Sequence, residues 1–103
     1  WMLAGKVSAV IGTHTHVQTN DARVLPGGTA FLTDAGMVGA QDSVLGREID
    51  AVVRKFRTGM PQRLPVCEKN IRLDGAVVSY ELATGRAVAI KPISRMYNGE
   101  ELK

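Results

Sequence analysis

Val7-Ser8-Ala9-Val10-Ile11-Gly12-Thr13-His14-Thr15-His16 is the stretch on which the fold of this chain turns. Its first five residues form an apolar run of strand length. Gly12 ends that run, and a residue without a Cβ lets the backbone turn in close quarters. Both histidines of the sequence follow, one residue apart. Residues i and i+2 of an extended segment face the same side, with Cα atoms roughly 6.5 Å apart. Two neutral imidazoles so placed project their nitrogens into one small volume. The spacing suits one shared metal or two ions about 3.5–4 Å apart. Thr15 between them is small and does not block the site.

Two imidazoles do not complete a metal site, since even a closed zinc site takes about four ligands. Asp21, Asp34 and Asp42 are the carboxylates nearest in sequence, and their spacing selects none of them. The plainer reading of His14 and His16 is a pair of polar loop residues bonding the backbone. Asp34 ends an apolar run and suits a loop cap that accepts from backbone N–H groups better than a substrate contact. Gly27-Gly28, Gly36 and Gly39 read as turns, because no strand–glycine loop–helix pattern with a following lysine surrounds them. Ser43 lacks an elbow motif and reads as a helix cap. Cys67 has no histidine near it in sequence to activate it and reads as a small core residue. Arg23 and Lys55 read as solvated cations.

Working outward, Trp1 to Lys6 resembles the end of a helix, with Gly5 where a C′ glycine would sit. Such an ending so close to residue 1 is what a stretch taken from a longer polypeptide would show. Ala22–Leu25 and Thr29–Thr33 flank the Pro26-Gly27-Gly28 turn and form an expected hairpin. Residues 34–39 read as a glycine-punctuated loop. Val44–Phe56, capped by Asp42 or Ser43, is the expected helix: Leu45, Ile49, Val52, Val53 and Phe56 recur at helical steps. Gly59 and Pro61 stop it. Arg63–Glu68 is an expected strand. Arg72–Leu82 and Arg86–Ile93 form a second hairpin about Ala83-Thr84-Gly85. Tyr97–Lys103 reads as a frayed tail. The order β–β–β–α–β–β–β is mixed α/β, with mostly local, antiparallel pairing.

Composition sets wider bounds. The chain has 103 residues, 45% hydrophobic and 22% charged, which is ordinary for one modest globular domain. No apolar run approaches the ~20 residues that cross a bilayer, so no membrane partner is expected. The single cysteine excludes an internal disulfide and a cysteine-based zinc site, and a reducing cytoplasm is the expected compartment. A net charge of +3 with scattered basic residues offers no dedicated nucleic-acid surface but is compatible with a small anionic substrate.

Val10-Ile11-Gly12-Thr13-His14-Thr15-His16-Val17-Gln18-Thr19 resembles the last metal-binding motif of the calcineurin-like metallophosphoesterases. Leu25-Pro26-Gly27-Gly28-Thr29-Ala30-Phe31-Leu32-Thr33-Asp34-Ala35-Gly36-Met37 and Asp42-Ser43-Val44-Leu45-Gly46 are similar, more specifically, to the bacterial YmdB-like branch. That branch hydrolyses cyclic nucleotide phosphodiesters, 2′,3′-cyclic nucleotides among them. The resemblance runs from about Leu3 to Ile93 and covers only the C-terminal part of the family's length. It implies an α/β/β/α sandwich, of which residues 1–103 would be the C-terminal part of a single domain. It implies a dinuclear centre of Fe or Mn, with His14 and His16 as ligands, one to each ion. It carries over no catalytic residue, and it leaves the substrate-binding residues unknown. The family's earlier motifs, with their aspartate, amide and further histidine ligands, have no counterpart here. The expectation is therefore that the isolated chain is inactive and that the parent protein is the phosphodiesterase. The alternative is a non-catalytic interaction or metal-binding module, whose unpaired sheet edges would favour a homo-oligomer.

Overall fold

The computed structural model describes residues 1–97. Seven elements follow in order: β1 (Ala9–Ile11), β2 (Arg23–Leu25), β3 (Thr29–Leu32), β4 (Val38–Ala40), α1 (Ile49–Thr58), β5 (Ile71–Tyr80) and β6 (Ala87–Met96). They build two three-stranded sheets, ordered β1-β3-β2 and β4-β5-β6. The mixed α/β class is as expected. The chain divides into two compact units, one of Trp1–Met37 with Asp74–Ser94, the other of Val38–Leu73 with the residues after Ser94.

In the first unit, β2 and β3 form the expected antiparallel hairpin, with Val24 opposite Ala30. β1 pairs with β3 in parallel, Val10 opposite Phe31 and Ile11 opposite Leu32, so pairing here is not purely local or antiparallel. Residues 12–28 separate β1 from β3, long enough to return the chain in the same direction. Leu25, Ala30, Leu32 and Ala87 form the buried apolar centre. Thr29 is fully buried among them, and its hydroxyl donates to Val7 O at 2.6 Å while accepting from Gly5 N at 2.8 Å. That pair of bonds satisfies a polar atom that would otherwise be costly to bury. The first six residues are turns closed by Ala4 N to Trp1 O and Lys6 N to Leu3 O, with Gly5 left-handed (φ 78°), the geometry expected of a C′ glycine. The turn between β5 and β6 is closed by Glu81 N to Arg86 O, as the Ala83-Thr84-Gly85 reading expects.

The second unit departs from expectation at four points. Val38 and Gly39 belong to β4, paired antiparallel with Leu73 and Arg72, rather than to a loop. The expected strand Arg63–Glu68 shrinks to one bridge, Val66 against Arg47. The helix begins at Ile49, five residues after the expected start at Val44. The reason is Leu45 (φ 50°) and Gly46 (φ 86°), both left-handed, which close a two-residue hairpin in which Val44 and Arg47 exchange backbone hydrogen bonds at 2.9 Å. Two successive positive φ angles are what such a primed turn demands and what a right-handed helix forbids. Ser43 serves this turn instead of capping the helix: its hydroxyl donates to Ala40 O and accepts from Gly46 N. Glu48 holds the N-cap position without a side-chain cap bond, and Gly59 ends the helix in the left-handed region, as expected. Ala40, Val52 and Cys67 are the buried apolar residues among the described residues of this unit. Of the tail expected from Tyr97 on, residues 98–103 lie outside the described residues.

Candidate metal-binding loop

Where β1 stops, its ladder with β3 carries on for one more residue. Gly12 N donates to Leu32 O at 3.0 Å, and Ala35 N donates to Gly12 O at 2.9 Å. A Cβ on Gly12 would lie 2.2 Å from the Thr33 carbonyl oxygen. Close approach of two backbones, not an unusual φ, is what requires glycine here.

The histidines follow in a bend that Asp34 organises from the end of β3. Asp34 is 1% exposed. Its Oδ2 accepts from His14 N (2.8 Å), Thr15 N (2.6 Å) and the Thr15 hydroxyl (2.7 Å), and its Oδ1 accepts from Gly36 N (2.8 Å). The carboxylate thus gathers both strands' ends around one charge. Gly36 N–H, the Thr15 hydroxyl and the loop N–H groups hold the Asp34 carboxyl far below the usual carboxylate range, against the opposing pull of burial. The loop-capping reading of Asp34 matches this geometry. The clamp is extended by Thr19, whose N donates to Asp34 O (3.1 Å) and whose hydroxyl accepts from Asp34 N (2.9 Å).

His14 and His16 are both exposed, and His16 is left-handed (φ 64°). The extended i, i+2 geometry expected of them therefore does not hold. The imidazoles stand on a bend whose backbone is fixed from beneath by Asp34. Of the other carboxylates weighed as partners, Asp21 is taken up by Thr19 and by the Thr33 hydroxyl and N–H. Asp42 belongs to the second unit, where it accepts from the Asn70 amide. Among the described residues no group of three or more His, Cys, Asp or Glu side chains is placed to hold a metal ion. Cys67 is a buried free thiol, and Arg23 is exposed, as expected, with its guanidinium over the exposed Trp1 ring at 5.0 Å.

Two contributors escape the sequence reading. Thr15 is more than a small spacer, because its hydroxyl binds Asp34 and accepts from Val17 N. Gln18 reads as one residue of a polar turn, yet its amide donates to Gly75 O (3.0 Å) and Ile93 O (2.9 Å), with Ala35 O at 3.5 Å. Its partners are backbone carbonyls far along the chain, so no local pattern marks it.

The two carboxylates make the first unit sensitive to acid. The Thr33 and Thr19 hydroxyls lower the pKa of Asp21, as the Gly36 and Thr15 donors lower that of Asp34. Folding therefore favours the ionised forms, and the folded chain binds fewer protons than the unfolded one. Their contribution is complete above the unfolded carboxyl value of about 3.9 and is lost as pH falls through the lower folded values. In urea titrations, Asp21→Asn is expected to flatten the fall of stability between about pH 5 and 3. An unchanged slope would contradict this assignment.

Solved structures place the architecture in the company of a phosphatase. A crystal structure titled as a novel phosphatase from Mycoplasma pneumoniae aligns with a TM-score of 0.83 and 30% identity, over 91% of this chain and 34% of that one. A hypothetical protein from Thermus thermophilus aligns with a TM-score of 0.83 and 41% identity, over 93% and 37%. The 2′,3′-cyclic-nucleotide 2′-phosphodiesterase of Bacillus subtilis (strain 168) is 45% identical over 93 residues, 90% of this chain and 35% of the relative. Residues 1–93 match the family described as YmdB-like protein, and the chain belongs to that family. It spans about a third of the length of these relatives.

Proposed function

We propose that this chain supplies His14 and His16 as ligands to a two-metal centre that hydrolyses small phosphodiesters, 2′,3′-cyclic nucleotides in particular. The observation that carries the reading is the Asp34 clamp. A fully buried carboxylate spends four hydrogen bonds on fixing the backbone of an exposed His-x-His bend. Asp34 bonds the backbone of the bend and not the imidazoles, and a backbone so fixed suits side chains that must keep a set spacing. The 45% identity to a cyclic-nucleotide phosphodiesterase supports the substrate class.

Neutral imidazoles together with carboxylates suit Fe or Mn, and two imidazoles are what this chain offers to such a set. They are part of a ligand set, since even a closed zinc site takes about four ligands, and among the described residues no group of three or more such side chains is placed to hold an ion. A pair of such ions, when bound, supplies Lewis-acid polarisation of the phosphate and a more acidic water. The chain's own residues do the positioning: Asp34 and Thr15 hold the bend, Gly12 allows its close approach to Thr33, and Gln18 ties the segment after the histidines to β5 and β6. A cytoplasmic setting belongs to the same reading and suits the free thiol of Cys67. Among the described residues no helix is long and apolar enough to cross a membrane.

The test is Mn-dependent turnover of a chromogenic phosphodiester. These 103 residues alone are expected to give none. In the complete protein, His14→Ala is expected to lower kcat/KM by more than the roughly 100-fold that loss of an outer-shell partner brings. Turnover by the isolated chain would refute the shared ligand set, and full activity in the His14→Ala protein would refute the ligand role of this segment and favour a non-catalytic module.

A further inference from the structure

His16 is exposed, yet its backbone is left-handed (φ 64°). A residue with a Cβ takes that region uncommonly and keeps it only where its surroundings dictate it. Packing is not the constraint here, since Val17 after it is 60% exposed. Hydrogen bonds on either side are. Before His16, Thr15 N donates to Asp34 Oδ2 at 2.6 Å, and the Thr15 hydroxyl reaches across His16 to accept from Val17 N at 3.3 Å. After it, the Gln18 amide donates to Gly75 O at 3.0 Å and Ile93 O at 2.9 Å, one acceptor for each of its two N–H bonds.

Closing the loop does not account for Gln18. Thr19 already returns the chain to the end of β3, where its N–H donates to Asp34 O at 3.1 Å and its hydroxyl accepts from Asp34 N at 2.9 Å. Gln18 carries the bend to a second support, the carbonyls of β5 and β6, 57 and 75 residues away along the chain. His16 thus stands between Thr15, tied to the end of β3, and Gln18, tied to β5 and β6. An extended backbone would keep the Cβ of residue 16 on the same side as that of residue 14. A left-handed one turns it elsewhere, so the φ of His16 decides how the two imidazoles stand to each other.

We propose that Gln18 is a positioning residue for the metal ligands: with Thr15 it holds His16 left-handed and so sets the second imidazole against the first. This role rests on the ligand assignment of His14 and His16 proposed above. Metal affinity then depends on a side chain that bonds neither imidazole and acts through the backbone. Without the Gln18 bonds, residue 16 is free to relax toward the commoner extended or right-handed regions, and the two imidazoles lose their shared arrangement.

Calorimetric titration of the metal-free complete protein with Mn tests this, with circular dichroism to verify folding. Gln18→Met keeps the length of the side chain and removes both donors. It should raise the Mn dissociation constant roughly tenfold, the low end of the effect of groups that support metal ligands, because Gln18 acts at one remove. Gln18→Asn keeps the amide but is one methylene too short to reach both carbonyls, and it should act in the same direction. Val52→Ala opens a cavity in the second unit and should lower stability while leaving the Mn constant unchanged. An equal rise in Val52→Ala would reduce the Gln18 effect to lost stability and overturn the proposal. His14→Ala should remove binding of at least one ion. If it binds Mn as the wild type does, the ligand assignment fails and the role of Gln18 with it. If His14→Ala loses binding while both Gln18 variants keep the wild-type constant, the ligand assignment stands and the positioning role alone is overturned. Failure of both Gln18 variants to fold also overturns it, since Gln18 would then serve the fold alone.

Discussion

Gly12→Ala is expected to destabilise the protein by about 3 kcal/mol, the upper end of what overpacking a fitted site costs. The added methyl would sit 2.2 Å from the Thr33 carbonyl oxygen. That oxygen cannot swing away as a side-chain terminus could. It belongs to the backbone directly after β3, whose Ala30 and Leu32 are fully buried and paired with β1. Relief therefore requires β1 and β3 to part at their ends, which breaks the bonds from Gly12 N to Leu32 O and from Ala35 N to Gly12 O. The histidine bend starts at that point, so the loss should reach it as well. Urea unfolding gives the measurement. A loss below about 1 kcal/mol would mean the strands absorb the methyl by a small shift, contrary to tight packing at this point.

Asp34→Asn is expected to reduce activity of the complete protein by roughly 10–100-fold, the range found when an outer-shell partner of a metal ligand is lost. The substitution is nearly isosteric, so the effect reports on charge and hydrogen bonding alone. Three donors converge on Oδ2 and one on Oδ1. An amide offers one acceptor oxygen and one NH2 group, so whichever way it is turned, donors face donors. Release of the bend frees the His14 and His16 backbones, and the imidazoles lose their fixed spacing. Weaker Mn binding with little change in KM would fit a positioning role. Wild-type metal affinity and turnover in Asp34→Asn would show that the clamp is dispensable.

Much of this chain is legible from residue patterns because the responsible forces are local. The Pro26-Gly27-Gly28 turn, the hairpin it closes, and the left-handed stop at Gly59 are read directly from residue types. The start of α1 is misplaced by the same reasoning because apolar periodicity runs back to Leu45, while Leu45 and Gly46 sit in left-handed geometry that periodicity does not register. The parallel pairing of β1 with β3 is equally hidden, since it depends on a long return that no short pattern encodes. At the site, the histidines announce themselves and Asp34 can be assigned its capping role. Thr15 and Gln18 cannot, because the bonds that give them meaning span 17 to 75 residues of chain. Residue chemistry names the candidate ligands, and only the folded chain shows what holds them.

The Gln18 latch has a consequence for how mutation can reach the histidine bend. Its acceptors are carbonyls of Ala35, Gly75 and Ile93, which every amino acid possesses. Side-chain changes at those three positions leave the acceptors in place so long as the backbone keeps its course. On the donor side there is no such redundancy, because a single amide supplies every bond. The genetic vulnerability of this connection is thus lopsided: it is concentrated in one codon, while its other end is inherited with the backbone itself.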